Sequence, residues 1–422
     1  MKSRGRGRAR SISSQKALLV GVRRGRMTRR GMEHSLSELA SLVGTAGGDV
    51  VGTISQEVRR ADPATLLGRG KIAEIAETAA EAGADIVVVD DELSPVQNRN
   101  IEKEVGLFVL DRTAVILDIF AMRARSAEGK LQVELAQLEY ISPRLAGRGH
   151  IYSQQAGRIG TRGPGETALE VDRRRMRERI TLLRRGLKRV RAHRGLHRLK
   201  RDAVPLPLVS LVGYTNAGKS TLMNAMTGAE VFVEDKLFAT LDPTVRRLKL
   251  PSGREVLLAD TVGFIRRLPH QLVESFRSTF EEVAHAKLLL HVIDGSDEEA
   301  SAQADVVEGV LKELELSGKP RIDVVNKCDV PGSCGAGGRE SLRISAATGE
   351  GVGMLLQRID DVLRMEFRRS LLKLPADRGD IVSALYRLGY VTGVRYEADW
   401  IFLECELHEK FIGKYRRFVM DV

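Results

Sequence analysis

The sequence has no apolar run long enough to cross a membrane as a helix, which takes roughly eighteen to twenty residues. KLLLHVID, residues 287–294, is among the longest apolar segments, and a charged residue stands at each end. Hydrophobic residues make up 43% of the 422 positions and charged residues 29%, so the chain can form real cores. We therefore expect a soluble protein without membrane insertion, built from about two to four domains.

Cysteine is also scarce. The three cysteines, Cys328, Cys334 and Cys405, form no CxxC pair, and no HExxH motif is present. This argues against a disulfide framework or a structural zinc site and favours a reducing compartment. The N-terminus lacks the apolar core of a secretory signal. An Arg-rich organelle transit peptide is an alternative, but a strand expected from Lys16 leaves little to cleave, so we predict a cytoplasmic protein with a basic arm.

Positive charge is concentrated in two segments of the chain. The formal net charge is +11, and residues 1–30 hold eleven Lys and Arg with no Asp or Glu. Residues 166–201 hold fourteen basic and four acidic residues, which gives 14 − 4 = +10. Such segments are typical of polyanion binding, although solvated tails and helix faces are the alternative interpretation.

The pattern of elements predicts an α/β protein in five parts. They are the basic arm with the start of the first strand (1–30), a small α/β domain (31–125), a helical hairpin (126–203), a doubly wound and mostly parallel sheet (204–365) and a small α+β domain (366–422). The second part contains the short strands DIVVVD and LFVLD, and the last contains Trp400, the only tryptophan. The fourth part shows the βα alternation of a parallel sheet.

The hairpin is predicted from two apolar stripes. Leu131, Leu135 and Leu138 share one helix face, and a second helix repeats apolar residues at a spacing of four and three: Met176, Ile180, Leu183, Leu187 and Val190. Between them, residues 142–167 are rich in glycine and form the tip. Four arginines of the tip are candidate RNA contacts: Arg144, Arg148, Arg158 and Arg162. A mobile basic loop is the alternative.

A phosphate-binding loop is the strongest motif. GYTNAGKS, residues 213–220, fits G-x-x-x-x-G-K-[ST] between an expected strand and an expected helix. Its glycines let backbone N–H groups point at phosphate oxygens, and the helix N-terminus adds partial positive charge. Lys219 would reach the β- and γ-phosphates, and Ser220 would coordinate Mg²⁺. GRGK at 68–71 is superficially similar, but a tight turn into a helix is favoured there over a second nucleotide site.

Three later motifs indicate a GTP site, and two of them would select guanine. DTVG at 260–263 places Asp260 near the Mg²⁺ and the Gly263 N–H at the γ-phosphate. In NKCD at 326–329, Asp329 would accept hydrogen bonds from guanine N1–H and N2–H₂, which adenine lacks, while Asn326 braces the loop. SAATG at 345–349 offers backbone amides to guanine O6. Their order, each after an expected strand, predicts a P-loop G domain.

A switch segment is expected between the P-loop and DTVG. In LFATLDPTVRR, residues 237–247, both Thr240 and Thr244 could supply the hydroxyl that binds Mg²⁺ when GTP is present.

These motifs and the upstream chain closely resemble HflX, a family of ribosome-associated GTPases. The matching segments include FATLDPT, DTVGF, LGRGKIAEI and GRIGTRGPGETALEVDRR, and the resemblance covers about residues 16–365. It implies Thr240 as the Mg²⁺ ligand and nucleotide contacts from residues 238–242. It also implies binding of GTP or GDP and of the large ribosomal subunit, and a role in ribosome splitting, rescue or recycling under stress.

The predicted site therefore has two sets of residues. The nucleotide-binding set is Gly213, Tyr214, Thr215, Asn216, Ala217, Gly218, Lys219, Ser220, Phe238, Ala239, Thr240, Leu241, Asp242, Asp260, Thr261, Val262, Gly263, Asn326, Lys327, Cys328, Asp329, Ser345, Ala346 and Ala347. The metal set is Ser220 and Thr240. Asn216 stands where related GTPases hold K⁺, with local hydrogen bonding as the alternative.

Phe264 departs from the Ras pattern, because Ras holds a water-positioning glutamine just after DxxG. No catalytic side chain is identified, and slow intrinsic GTP hydrolysis with ribosomal stimulation is expected. Two other functions are weighed: a P-loop ATPase or kinase, which NKCD and SAATG oppose, and a regulatory G protein acting on a protein or membrane surface. We expect a monomer located in the cytoplasm, at ribosomes or at a membrane surface.

Overall fold

A computed structural model describes residues 12–25, 27–145, 168–201, 206–228, 237–267, 281–332, 338, 340–364 and 367–420. The chain divides into two compact units. The first unit comprises Met1–Arg191, Glu234–Asp242 and Arg266–Ser278, and the second comprises Ala192–Val233, Pro243–Ile265 and Thr279–Val422. Within the described ranges, no helix combines the length and apolar character of a membrane span.

The first unit is built on a parallel four-stranded sheet in the order β2-β1-β3-β4. Its strands are β1 (Lys16–Arg24), β2 (Asp49–Val58), β3 (Ile86–Val89) and β4 (Phe108–Asp111). Its first helices are α1 (Arg29–Thr45), α2 (Arg69–Glu81), α3 (Pro95–Val105) and α4 (Arg112–Arg123). The strands predicted at Lys16, DIVVVD and LFVLD are confirmed. Strand β2 is not predicted from sequence, because most of this edge strand is not buried and its sequence DVVGTISQEV is correspondingly mixed.

Local sequence explains where these helices begin. Ser94 caps α3 and accepts a hydrogen bond from Gln97 N, while the Gln97 side chain accepts one from Ser94 N, which makes a capping box with Pro95 in the first turn. In the same way, Asp111 caps α4. The GRGK segment forms the start of α2 after Gly68, in agreement with the expected turn into a helix.

The predicted hairpin helices are α5 (Ala127–Ile141) and α6 (Ala168–Arg201). The predicted apolar stripes meet in a cluster of Leu135, Leu183 and Leu187 with partly buried Leu131, Leu138 and Ile180 around it. Outside this seam, Arg179 pairs with Glu134 at 2.6 Å. The glycine-rich tip, with Arg148, Arg158 and Arg162, lies outside the described residues.

Arg144 has polar partners within the first unit, and its RNA contact stays a prediction. Its side chain is 10% exposed and donates to Asp111 Oδ2 at 3.0 Å and to Leu93 O at 2.6 Å. The guanidinium also lies 3.6 Å from the ring centroid of Tyr140, whose hydroxyl donates to Asp111 at 2.8 Å. Arg144 therefore ties the start of the tip to the end of the first sheet.

The second unit contains a six-stranded sheet in the order β10-β9-β8-β5-β7-β6. Its strands are β5 (Leu208–Gly213), β6 (Thr244–Lys249), β7 (Glu255–Asp260), β8 (Leu288–Asp294), β9 (Arg321–Asn326) and β10 (Leu342–Arg343). All neighbours are parallel except β6 and β7, which form a hairpin around Ser252 and Gly253. Its helices are α7 (Lys219–Thr227), α8 (Glu281–His285), α9 (Ala300–Glu313) and α10 (Val352–Arg364). The predicted doubly wound G-domain sheet is confirmed.

The chain ends in an antiparallel sheet in the order β12-β13-β11-β14, as expected for an α+β part. Its elements are β11 (Phe367–Pro375), α11 (Gly379–Leu388), β12 (Gly389–Glu397), β13 (Trp400–His408), α12 (Glu409–Tyr415) and β14 (Val419–Met420). Leucines from β11 and β13 pack against both helices in one core.

A buried charged cluster joins this last sheet to the larger one. Arg254, in the turn between β6 and β7, is bonded to Glu406 on β13, and Arg364 at the end of α10 donates to Glu406 at 2.7 Å. Asp360 on α10 accepts from Ser252 N and Oγ, each at 2.9 Å. Ion pairs and hydrogen bonds thus connect three elements: the turn between β6 and β7, helix α10 and strand β13.

We expect Arg144→Ala to lower the free energy of unfolding by about 3–5 kcal/mol, because it leaves the buried Asp111 without its cation. Arg99→Ala is a matched control on the exposed face of α3 and should stay within about 0.5 kcal/mol of the parent. Urea unfolding of the full chain would measure both. Equal stability of the two variants would contradict the structural role of Arg144.

Candidate nucleotide site

The phosphate-binding loop runs from β5 to α7 and depends on two glycines. A Cβ at Gly213 would stand 2.3 Å from Val292 O on the neighbouring strand β8. Gly218 has φ +88°, and a Cβ there would stand 2.2 Å from Asn326 Nδ2. Asn216 also adopts a positive φ of +63°, which asparagine tolerates better than most residues. The loop therefore takes a curled backbone that few other sequences allow.

Lys219 is folded into this loop. Its Nζ donates to Tyr214 O at 2.7 Å and to Gly213 O at 3.2 Å, and only 7% of the residue is exposed. Burial lowers the pKa of Lys219 to about 8, and the nearby Asp260 carboxylate offsets part of this effect. The Lys219 ammonium is thus held among the loop carbonyls, where a phosphate anion would raise its pKa and stabilise the charged form.

Ser220 and Asp260 place two hard oxygen donors together. Ser220 Oγ donates to Asp260 Oδ2 at 2.6 Å, and Asp260 ends β7 with 1% exposure. The next residue, Thr261, uses its hydroxyl to donate to Leu211 O at 2.6 Å, so its side chain is structural. Hydroxyl and carboxylate oxygens are the ligands that suit Mg²⁺.

The DTVG segment is joined to the phosphate loop through the backbone. Phe264 N donates to Gly213 O at 3.0 Å, and Thr215 N donates to Phe264 O at 2.7 Å. A Cβ at Gly263 would stand 2.8 Å from Thr215 Cα and 2.9 Å from Lys219 Nζ. Phe264 is 1% exposed, so its ring is part of the core. At this position the backbone, and not the side chain, is linked to the phosphate loop. Sequence reasoning treats Phe264 only as a missing glutamine and does not anticipate this link.

Asn326 joins the phosphate loop to the SAATG loop. Its Nδ2 donates to Ala217 O at 2.9 Å, while its Oδ1 accepts from Ala346 N at 2.9 Å. The side chain is 2% exposed. The bracing role expected for Asn326 is therefore seen directly in its hydrogen bonds.

The rest of the NKCD segment is fixed by its neighbours. Lys327 has φ +63°, and its Nζ lies 2.6 Å from Asp294 Oδ2 at the end of β8. Cys328 N donates to Ile344 O at 3.1 Å. Asp329 is exposed. Asp294 is a further candidate for a role in the site, because it holds the Lys327 side chain. The sequence motifs do not include it, although an acidic residue at the end of the adjacent strand is a signal that could have identified it.

The SAATG loop offers fewer free amides than expected. Ser345 N donates to Glu350 O at 2.9 Å, and Ala346 N is taken by Asn326. Among the residues that the structure describes, Ala347 N is the one amide of these three without an acceptor. The contact of guanine O6 with amides of Ser345, Ala346 and Ala347 stays a prediction.

The switch segment 237–242 belongs to the first unit. Phe238 is 2% exposed and packs edge-on against Phe120, with ring centroids 4.8 Å apart. Asp242 accepts hydrogen bonds from Arg125 N at 3.0 Å and Ser126 N at 2.7 Å. These two side chains are therefore engaged within the first unit. A nucleotide contact by residues 238–242 stays a prediction.

Three family models match consecutive parts of the chain. They are described as GTP-binding GTPase N-terminal (residues 33–121), GTP-binding GTPase Middle Region (residues 123–201) and 50S ribosome-binding GTPase (residues 208–327). GTPase HflX from Caldanaerobacter subterraneus subsp. tengcongensis is 46% identical over 92% of this chain and 91% of its own length. The chain belongs to the HflX family of GTPases.

Other HflX relatives agree over similar lengths. GTPase HflX from Magnetococcus marinus is 44% identical over 94% of both chains, and GTPase HflX from Escherichia coli K12 is 44% identical over 87% of this chain and 86% of its own. A GTP-binding protein of Sulfolobus solfataricus, solved with GDP, has a TM-score of 0.42 at 22% identity, covering 83% of this chain and 99% of that chain. That similarity is too low to support an argument.

The family and the motif geometry establish this HflX member as a GTP-binding protein that hydrolyses GTP. The predicted P-loop GTPase class is confirmed. The ATPase or kinase alternative is set aside, because the family is one of GTPases and the chain carries its guanine motifs. The individual nucleotide contacts stay predictions.

Nucleotide affinity should fall as pH rises above about 8 in this HflX member, because Lys219 must take up a proton to meet the phosphates. The lysine pKa is lowered in the folded protein, so the charged form is lost from about pH 8 upward rather than near 10.5. GDP affinity across this range should show the fall in the parent.

Lys219→Ala is the control for that measurement, because guanine itself also titrates at alkaline pH. The variant should bind GDP more weakly than the parent at pH 7. Its GDP affinity should also lack the part of the pH dependence that comes from deprotonation of the lysine. Parallel pH profiles for parent and variant would contradict the assignment.

Proposed function

We propose that this GTPase binds the large ribosomal subunit and couples GTP hydrolysis to ribosome splitting, rescue or recycling under stress. The observation that carries the proposal is the match of residues 208–327 to a family described as 50S ribosome-binding GTPase, on a chain whose basic residues are clustered.

In this proposal the Asp329 carboxylate and the Ala347 backbone amide recognise the guanine base. Asp329 is exposed at the end of the NKCD segment and would accept from guanine N1–H and N2–H₂. The free Ala347 N–H would donate to guanine O6. Asn326 sets the distance between this base loop and the phosphate loop through its two bonds to Ala217 and Ala346. Adenine would leave the Asp329 carboxylate unpaired, which costs several kcal/mol in comparable sites, roughly 10⁴-fold or more in selectivity.

Asp329→Asn should shift the preference from GTP to xanthosine triphosphate. The amide offers a donor where the carboxylate accepted, and xanthine has a carbonyl where guanine has its N2 amino group. We expect GTP affinity to fall by at least about 100-fold, while the xanthine nucleotide gains affinity. Competition binding with both nucleotides measures this. Undiminished GTP preference in the variant would remove Asp329 from base recognition.

Mg²⁺ fits the residues present. Ser220 Oγ and Asp260 Oδ2 lie 2.6 Å apart in a partly buried position, and both are oxygen ligands that suit Mg²⁺. No group of three or more His, Cys, Asp or Glu that could hold a metal occurs in the described part of the chain. Ser220 and Thr240 would be the protein ligands of a magnesium ion, as the family resemblance implies, with the Asp260 carboxylate beside Ser220. Bound Mg²⁺ would neutralise phosphate charge.

The K⁺ role of Asn216 stays a prediction. Equal rates of GTP hydrolysis in KCl and NaCl would remove it.

Helix α6 carries the described surface that best fits ribosomal RNA. Leu183 and Leu187 face the hairpin seam, and the other side of the helix holds exposed cations with no ion-pair partner among the described residues: Arg175, Arg177, Arg185, Lys188 and Arg189. Arg179 and Arg184 are instead paired with glutamates of α5, at 2.6 and 2.7 Å. The free cations can neutralise phosphates and release counterions, which makes binding dependent on salt.

Neutralising Arg185, Lys188 and Arg189 to glutamine should weaken binding to large subunits. Each lost phosphate contact lowers the slope of log affinity against log salt by about one, so we expect a decrease of up to about three. Co-sedimentation across a salt series measures the slope. Arg179→Gln with Arg184→Gln is the control, because those cations are already paired, and it should change the slope less. Equal slopes for all three proteins would contradict an RNA surface on this helix.

Hydrolysis by the isolated protein should be slow, because Phe264 is buried and supplies no group to orient water. Ras, which lacks a stimulating partner in its free state, turns over at about 10⁻⁴ s⁻¹. Purified large subunits should accelerate the reaction strongly. Turnover near about 1 s⁻¹ without subunits would contradict the proposed dependence on a partner.

A further inference from the structure

The last part of the chain forms a four-stranded sheet with helices on one face. Its main elements follow the order β11, α11, β12, β13, α12, β14, and neighbouring strands are antiparallel. Leu385 of α11 and Tyr415 of α12 lie in one core with Leu372 of β11 and Leu403 of β13, so both helices pack on the same face. Side chains alternate between the two faces of a strand. The opposite face, which we call the open face, carries Lys373, Arg395, Glu397, Trp400, Phe402 and Glu404.

Two aromatic residues stand on an inner strand of the open face. The register places Phe402 of β13 directly between Lys373 of β11 and Arg395 of β12. Trp400 lies on the same face of β13, opposite Glu397 of β12. Side chains that stand opposite each other in an antiparallel pair are neighbours on one face. A cation therefore stands on either side of Phe402, one in each adjacent strand.

These two aromatic residues do not belong to the core. Trp400 is 42% exposed and Phe402 is partly exposed, whereas Ile401 and Leu403 of the same strand are buried on the helix side. An antiparallel sheet with one solvated face normally carries polar side chains on that face. The packing of the helices explains Ile401 and Leu403 but not the two aromatic residues, and a contiguous exposed apolar surface is typical of a binding site.

The cations lie close enough to the rings to act with them. Lys373 Nζ is 4.2 Å from the ring centroid of Trp400 and 5.8 Å from that of Phe402. Arg395, on the other side of Phe402, is exposed. A flat ring with a cation beside it can hold a base by stacking and the adjoining phosphate by charge.

The glutamates limit the extent of the open face. Glu404 is paired with Arg369 at 3.4 Å, and Glu397 is exposed on the edge strand β12. Further along β13, Glu406 is buried in the charged cluster that joins this sheet to the larger one. The accessible part therefore runs from Trp400 to Glu404, about 13 Å at about 3.3 Å per residue. Related four-stranded sheets stack two or three bases on their aromatic residues.

We propose that the open face binds two or three unpaired nucleotides of RNA. Trp400 and Phe402 would stack on the bases, and Lys373 and Arg395 would meet the phosphates. The βαββαβ order alone does not assign this, because one fold serves many functions. The proposal depends instead on the two exposed aromatic residues and the cations beside them. RNA is chosen over single-stranded DNA because residues 208–327 match a 50S ribosome-binding family, so this choice rests on the proposed function.

Trp400 is the only tryptophan of the chain, so tryptophan fluorescence of the full-length protein reports on the open face alone. Titration with a short oligouridylate, whose bases are unpaired, should quench this fluorescence to saturation. The same oligouridylate paired with oligoadenylate is the control. Duplex RNA can bind the basic segments elsewhere in the chain, but its bases are already stacked and paired, so it should leave the fluorescence of Trp400 unchanged.

Phe402→Ala keeps the fluorescent residue and removes its neighbour. We expect the affinity for oligouridylate to fall about tenfold, because one stacking contact is lost, while Phe402→Tyr should stay within about twofold of the parent. Arg395→Gln should lower the slope of log affinity against log salt by about one. Tyr386→Ala is the matched control, because this exposed aromatic residue lies on α11, which packs on the other face, and it should leave affinity within about twofold.

An unquenched Trp400 at saturating oligouridylate would overturn the proposal, and so would equal quenching by the duplex or equal affinity of Phe402→Ala and the parent. Co-sedimentation with large subunits separates this inference from the proposed function. If the parent sediments with subunits and oligouridylate does not quench Trp400, only the open face is misassigned. If oligouridylate quenches Trp400 and the parent does not sediment with subunits, the RNA-binding face stands and the ribosomal role fails.

Discussion

The side chain of Asn326 sets the geometry on which the nucleotide site depends. Its amide donates to the phosphate loop at Ala217 O and accepts from the SAATG loop at Ala346 N, so one rigid group fixes the spacing between these two loops. This is possible because Gly218 has no side chain in the place that Asn326 occupies. Gly218 and Asn326 lie 108 residues apart in the sequence, and the close approach of the two residues constrains both positions together.

Much of the fold and the phosphate site could be predicted from the sequence because the information is local. The loop from Gly213 to Ser220 needs its glycines, lysine and hydroxyl in a fixed order, and the flanking strand and helix are strongly patterned. The parallel sheets follow from short β-branched runs such as Ile86–Val89. Strand β2 was missed because an edge strand lacks that pattern.

The remaining site features depend on partners distant in sequence. Nothing local in SAATG shows that Ala346 N is already used, since its acceptor lies in NKCD. The role of Asp294 needs the register of β8 beside β9, and the burial of Phe264 needs the packed core. The ion pair of Arg144 with the buried Asp111 is equally absent from the local sequence, because the two residues lie in different elements.

Both segments that flank the DTVG strand return to the first unit. Asp242 binds the start of α5, and Arg267 on the other side lies within hydrogen-bonding reach of the Asp90 carbonyl at the end of β3. Asp90 is itself bonded to Arg112 at 2.8 Å and Ser35 at 2.5 Å. Both contacts lie within the first unit, and both are polar.

The charges shared by Arg254, Asp360 and Glu406 have a practical consequence for dividing the chain. A fragment that stops at residue 365 would retain Arg254 and Asp360 but lose the Glu406 carboxylate, together with the strand that covers them. The loss of Glu406 could distort the turn between β6 and β7, next to the strand that ends at Asp260. A changed rate of GTP hydrolysis in such a fragment would therefore have two explanations: this distortion, or a regulatory effect of the missing sheet. Replacing Arg254 in the same fragment with an uncharged residue of similar length would separate the two causes.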